Sequence, residues 1–109
     1  MIRLSAIALL FLLLPYNALA AEVSNGAKIF NNNCASCHLG GGNILIGEKT
    51  LQKSALSQYL EGYNTDAIAS IIHQVQNGKG AMPAFKSKLK EQEILEVAAY
   101  VFQQAEEGW

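Results

Sequence analysis

Three of the four cysteine and histidine residues in this 109-residue chain lie in one short run, Cys34-Ala35-Ser36-Cys37-His38. C-x-x-C-H is the attachment signature of a c-type haem. The spacing has a chemical meaning. Two thiols add to the vinyl groups of neighbouring pyrroles and form thioethers, and the histidine directly after the second cysteine reaches the iron from one side. Other uses of the motif need partners. A thioredoxin-like redox pair needs a βαβ context, and strand alternation is absent. A zinc site needs further ligands, and His73 is the only other histidine, with no third cysteine. A plain disulfide leaves the adjacent His38 unexplained.

An iron held by His38 takes a sixth ligand from elsewhere. The chain has two methionines, Met1 and Met82. A Met/His pair is the usual electron-transfer arrangement, and thioether ligation raises the potential. Met82 is therefore the expected sixth ligand, with Pro83 limiting the freedom of its loop. Two readings compete. Met82 can be a flexible core filler, and His73 is a rival ligand. His73 falls one step off an apolar helical stripe, which reads as a surface position.

The elements that position these residues read as helices. Residues 1–20 form a leader: positive charge in Met1–Arg3, an apolar run to Leu14, Pro15, then Ala18-Leu19-Ala20 as a cleavage site. The run is too short to span a bilayer core of ~30 Å. The competing reading, an uncleaved anchor, sits poorly with the cleavage site that follows directly. Cleavage after Ala20 leaves a domain of 21–109 with seven lysines against nine carboxylates. That balance points to neither nucleic acid nor a strongly basic partner surface.

Four helices are expected in that domain. The first spans 26–33, capped by Ser24 or Asn25. A glycine-rich loop follows at 40–42, then a short helix near 53–60. A third covers 66–76, capped by Asn64 or Thr65, with Ile68, Ile71, Ile72 and Val75 on one face and Asn77-Gly78 as its stop. The last spans 90–105, its stripe Ile94, Val97, Ala98, Val101 and Ala105, with Glu91 and Glu93 favoured by the dipole. Between the last two lies the apolar loop Gly80-Ala81-Met82-Pro83-Ala84-Phe85. Four short helices bury little area by themselves. A large apolar cofactor would give them, and the loop, a centre.

With these residues in view, the chain resembles the cytochrome c6 family. The resemblance rests on Gly26 and Phe30, the C-A-S-C-H box, Gly41-Gly42-Asn43, Lys49-Thr50-Leu51, Gln74 to Lys79, Ala81 to Phe85, and Val97 to Val101 with Gly108-Trp109. It implies an all-α class I cytochrome c fold around one covalent haem c, with His38 and Met82 as axial ligands. It also implies a soluble, monomeric carrier of the thylakoid lumen, cyanobacterial or plastid, docking on the membrane complexes cytochrome b6f and photosystem I. Gln74 resembles the high-potential members; the low-potential relative has valine there. Where the family has Gly-Gly-Arg, with a docking arginine, this chain has Lys86-Ser87-Lys88, so the docking role falls to Lys88. Lys90 stands where the family places a serine cap. Alternatives to a photosynthetic carrier are an exported class I cytochrome serving a terminal oxidase, a small haem peroxidase or sensor, and a cofactor-free helical module. The peroxidase and the sensor need an open or exchangeable sixth position, which Met82 opposes.

Covalent attachment has a direct check. Extraction with acidified organic solvent is expected to leave the haem on the polypeptide. Release of free haem into the solvent would contradict the role of Cys34 and Cys37.

Overall fold

The computed structural model describes residues 23–109. The expected leader 1–20 and its cleavage site lie outside the described residues. Every regular element among those residues is helical, apart from one bridge pair, Lys79 with Met82. α1 is helical through 23–33. α2 is a single turn, Ala35–His38, followed by a 3-10 turn, Leu39–Gly41. α3 is Lys53–Tyr59, α4 is Ala67–Asn77 and α5 is Glu91–Glu107.

The helix ends differ from expectation in instructive ways. α1 is already helical at 23, so Ser24 and Asn25 lie inside it rather than capping it. α4 is capped by Asp66, whose carboxylate accepts the Ala69 N–H at 3.1 Å. Asn64 is engaged elsewhere: its side chain pairs with the Ser57 hydroxyl at 2.6 Å and donates to the Ser57 carbonyl at 3.0 Å. Asp66 is also the acidic choice for a helix N-terminus. At α5 the N-cap is Lys90, whose side chain has no acceptor. Only the reciprocal half of a capping box forms, with the Lys90 N–H donating to Glu93 Oε1 at 3.0 Å.

The core follows the expected stripes with one change. Ile94, Val97, Ala98, Val101 and Ala105 of α5 are all buried, and Val97 and Ala98 are fully sealed. On α4 only Ile71 and Val75 are buried; Ile68 and Ile72 are half-buried at the edge of the cluster. Phe30, Leu56, Tyr63 and Phe85 complete the centre. Of the apolar loop, Phe85 goes inside and Met82 is half-buried, while Pro83 and Ala84 stay exposed.

α1 meets α5 at Gly26. A Cβ on Gly26 would run into the Glu96 carbonyl oxygen and stand 2.7 Å from Tyr100 Cβ. The two backbones approach as closely as they do because no side chain intervenes. One turn later Phe30 packs against Tyr100, ring centroids 5.4 Å apart, and Trp109, 5.2 Å apart. Gly26→Ala is therefore expected to cost about 1–3 kcal/mol by overpacking, outweighing the helix propensity it gains. Urea unfolding measures this directly, and an unchanged or raised midpoint would show that the helices do not cross this tightly.

Candidate haem site

Cys34 and Cys37 are joined by one helical turn. The Cys34 carbonyl accepts both the Cys37 N–H at 3.1 Å and the His38 N–H at 2.9 Å. Both thiols are free and half-buried. Burial pushes the Cys34 thiol up to about 11, because the charged thiolate loses its water. A redox dithiol needs the opposite shift, toward an exposed thiolate. Among the described residues no three His, Cys, Asp or Glu side chains gather as a metal-ion site.

His38 is oriented by its own loop. Its Nδ1 lies 2.8 Å from the Gly42 carbonyl oxygen. A carbonyl only accepts, so Nδ1 carries the proton and Nε2 keeps its lone pair. That tautomer is the one a metal-ligating histidine needs, with the second nitrogen held by a backbone partner. The loop is itself ordered by the Asn43 side chain, which accepts the Leu45 and Ile46 N–H groups at 2.9 Å each and donates to the Lys49 carbonyl at 2.9 Å.

Met82 is placed by the end of α4. Gly78 closes that helix with φ +65°, a left-handed conformation that glycine adopts without penalty. A Cβ there would also strike the Met82 carbonyl oxygen and approach Pro83 C to 2.7 Å. The chain then doubles back, with Lys79 and Met82 exchanging two backbone bonds of 3.0 Å. Phe85 N–H donates to the Val75 carbonyl at 2.9 Å, which ties the loop to the helix it left. The sulfur ends 3.8 Å from Gln74 Nε2. His73, the rival ligand, is exposed, and it is its neighbour Gln74 that faces the sulfur.

The residues present fit a haem by their donor chemistry. There are two thiols one turn apart, an imidazole whose Nε2 keeps its lone pair, and a thioether that faces an amide. Sequence reasoning missed two parts of this arrangement. The Gly42 carbonyl carries no side-chain signal, and the Gln74 amide on the sulfur depends on how tightly the loop returns after Gly78.

The domain family described as "Cytochrome C oxidase, cbb3-type, subunit III" matches residues 21–101. A cytochrome c6 of Thermosynechococcus vestitus is 56% identical over 104 residues, covering 95% of this chain and 88% of its own length. That of Thermostichus vulcanus is 53% identical over 109 residues, covering 99% and 94%. The solved cytochrome c6 of the diatom Phaeodactylum tricornutum matches with a TM-score of 0.76 at 56% identity, covering 80% of this chain and 98% of that one. The domain match ends at residue 101, whereas the cytochrome c6 likeness to the vulcanus protein spans nearly the whole chain.

The Gln74 contact makes a prediction. An N–H directed at a thioether draws density from the sulfur lone pairs, so a metal bound to that sulfur favours its reduced state. Gln74→Val is expected to lower the reduction potential while the far-red sulfur-to-iron band persists; Met82→Ala is expected to abolish the band. If the oxidised wild-type protein lacked the band and His73→Ala changed its spectrum, the ligand would be His73.

Proposed function

This chain belongs to the cytochrome c6 family, one-electron carriers with a single covalent haem c and no enzymatic reaction of their own, and we propose how its residues perform that task. Cys34 and Cys37 are the attachment thiols. Each would hold the haem through a thioether, the S–H adding across a vinyl group with no oxidant required. His38 Nε2 and Met82 Sδ would hold its iron. Bound haem iron supplies a reversible one-electron couple. The observation that carries this assignment is the pair of oriented donors, His38 fixed through Gly42 and Met82 fixed through Gln74.

The mature chain starts at Ala21 and works in a thylakoid lumen, taking electrons from cytochrome b6f and passing them to photosystem I. Docking uses the lysines around the Met82 loop. Lys79, Lys86, Lys88 and Lys90 are all exposed. None of them is ion-paired: the one salt bridge among the described residues is Lys53 with Glu106 at 3.1 Å. Lys88 is the best placed of the four. Its Nζ lies 5.4 Å from the centroid of the Phe85 ring, so a cation–π contact steadies it beside the loop. The carboxylates Glu91, Glu93, Glu96, Glu106 and Glu107 lie on α5. This segregation suits a partner with an acidic docking face, since complementary charge raises encounter rates.

The experiment is reduction of photoactivated photosystem I over a salt series. The wild-type rate is expected to fall as salt rises, since exposed charges are screened beyond about 10 Å at 0.1 M. A single exposed lysine contributes under ~1 kcal/mol, and charge reversal exceeds neutralisation, so Lys88→Glu is expected to slow the reaction several-fold at low salt and to converge on wild type at high salt. Equal rates at low salt would move recognition off this face.

A further inference from the structure

We propose that Trp109 is a positioning residue for His38, acting through the loop that supplies the histidine's hydrogen-bond acceptor. The inference rests on the reading of His38 as an iron ligand and names what holds that ligand's partner in place.

The connection runs through four contacts. Trp109 Nε1–H donates to the Leu51 carbonyl at 2.8 Å. The Leu51 N–H donates to the Gly41 carbonyl at 2.7 Å. Gly41 also lies directly against the indole. A Cβ on it would fall onto the ring, 2.7 Å from Cδ1 and nearer still to Cγ and Cδ2. Gly41 has φ +78°, so the turn is itself one that glycine permits. The next residue, Gly42, presents its carbonyl to His38 Nδ1 at 2.8 Å. The indole thus grips the loop at both ends of the segment that bears the acceptor.

The other contacts of that segment with the body of the protein are not hydrogen bonds: Leu51 packs against the core, and Lys49 Nζ stands 5.7 Å from the Tyr59 ring centroid. Hydrogen bonds of residues 39–51 otherwise involve near neighbours: within the loop, with Cys37 and His38, and from the Gln52 N–H to the Thr50 hydroxyl. Among the described residues the Trp109 bond is the one that joins this loop to a residue distant in sequence. Trp109 is in turn seated on the helical core, with ring centroids 5.2 Å from Phe30 and 5.9 Å from Tyr100, the latter edge-on at 88°. The indole therefore transmits the position of the α1–α5 crossing to the Gly42 carbonyl.

The consequence is electronic as well as geometric. A strong Nδ1–H···O bond raises the basicity of a ligating imidazole, which favours the oxidised metal. Loosening the acceptor weakens that donation, and the potential rises. A purely structural tryptophan would change stability without changing the histidine.

The test uses the haem-loaded protein, two changes at Trp109 and one control. Trp109→Phe keeps an aromatic ring and loses the N–H. The benzothiophene analogue of tryptophan at position 109 keeps the bicyclic shape and also loses the N–H. Ala99→Gly, a buried α5 change, is the control for lost stability. The readouts are solvent exchange of the His38 Nδ1–H by NMR, the reduction potential, and the urea midpoint. Both Trp109 variants are expected to exchange at least five-fold faster than wild type and to have a higher potential, while Ala99→Gly lowers the midpoint and leaves the potential unchanged. If Trp109→Phe does not hold haem, the analogue decides alone. Unchanged exchange and potential in the analogue would overturn the proposal, as would equal acceleration in Ala99→Gly. The wild-type spectrum separates the underlying reading: a His38 ring without the large shifts of an iron ligand would overturn the ligand assignment, and this inference with it.

Discussion

The near-contact of α1 and α5 at Gly26 is the constraint from which the rest of the arrangement follows. With no side chain between them, the helices bring Phe30 against Tyr100 and Trp109 one turn later. α1 then runs almost directly into Cys34, whose N–H still bonds to the Phe30 carbonyl at 2.8 Å. The first thiol is thus an extension of the core helix, not a residue on a free loop. Sites carried by rigid elements hold their geometry better than sites on loops. The fully sealed Val97 and Ala98 on α5 form the base against which this is built.

The two proposed ligands are positioned by separate means. His38 ends α2, the turn that follows α1, and is oriented by the glycine loop. Met82 follows α4, the helix that packs along α5, and is oriented by the turn at Gly78 and the bond from Phe85 to Val75. α5 is therefore the common reference for both sides. A carrier gains from this. It must hold its ligand set through both oxidation states, and each ligand here is referred to the same buried helix.

Much of this was legible in the residues. The cysteine–histidine spacing, the single methionine within 21–109 and the α5 stripe needed only chemistry and helical period. The Asn77-Gly78 stop was legible because a left-handed cap favours glycine. What was not legible has physical reasons. Asn64, Thr65 and Asp66 are all competent caps, and only the Ser57 side chain, which engages Asn64, decides among them. Ile68 and Ile72 share the period of Ile71 and Val75, yet period alone does not say how wide a stripe is covered. The start of α1 upstream of Ser24 escaped because Ser24 and Asn25 are good caps that tertiary packing overrode. The acceptor for His38 is a backbone carbonyl, and composition says little about backbone geometry beyond permitting it through three consecutive glycines.

The hydrogen bonds to the two proposed ligands would pull in opposite electronic directions. The Gly42 carbonyl accepts from His38 and so makes the imidazole a stronger donor. The Gln74 amide donates to Met82 and so makes the thioether a weaker one. With iron bound, the first would favour the oxidised state and the second the reduced. A potential set by opposed terms can be moved either way by one conservative change, without touching a ligand or the core. Position 74 is the more accessible of the two controls. Gln74 is a half-buried side chain on α4, replaceable without altering the loop, whereas the Gly42 carbonyl moves only with its backbone. Variation in potential among chains of this fold should therefore concentrate at the side-chain partner of the methionine, while the partner of the histidine stays fixed by the loop that carries it.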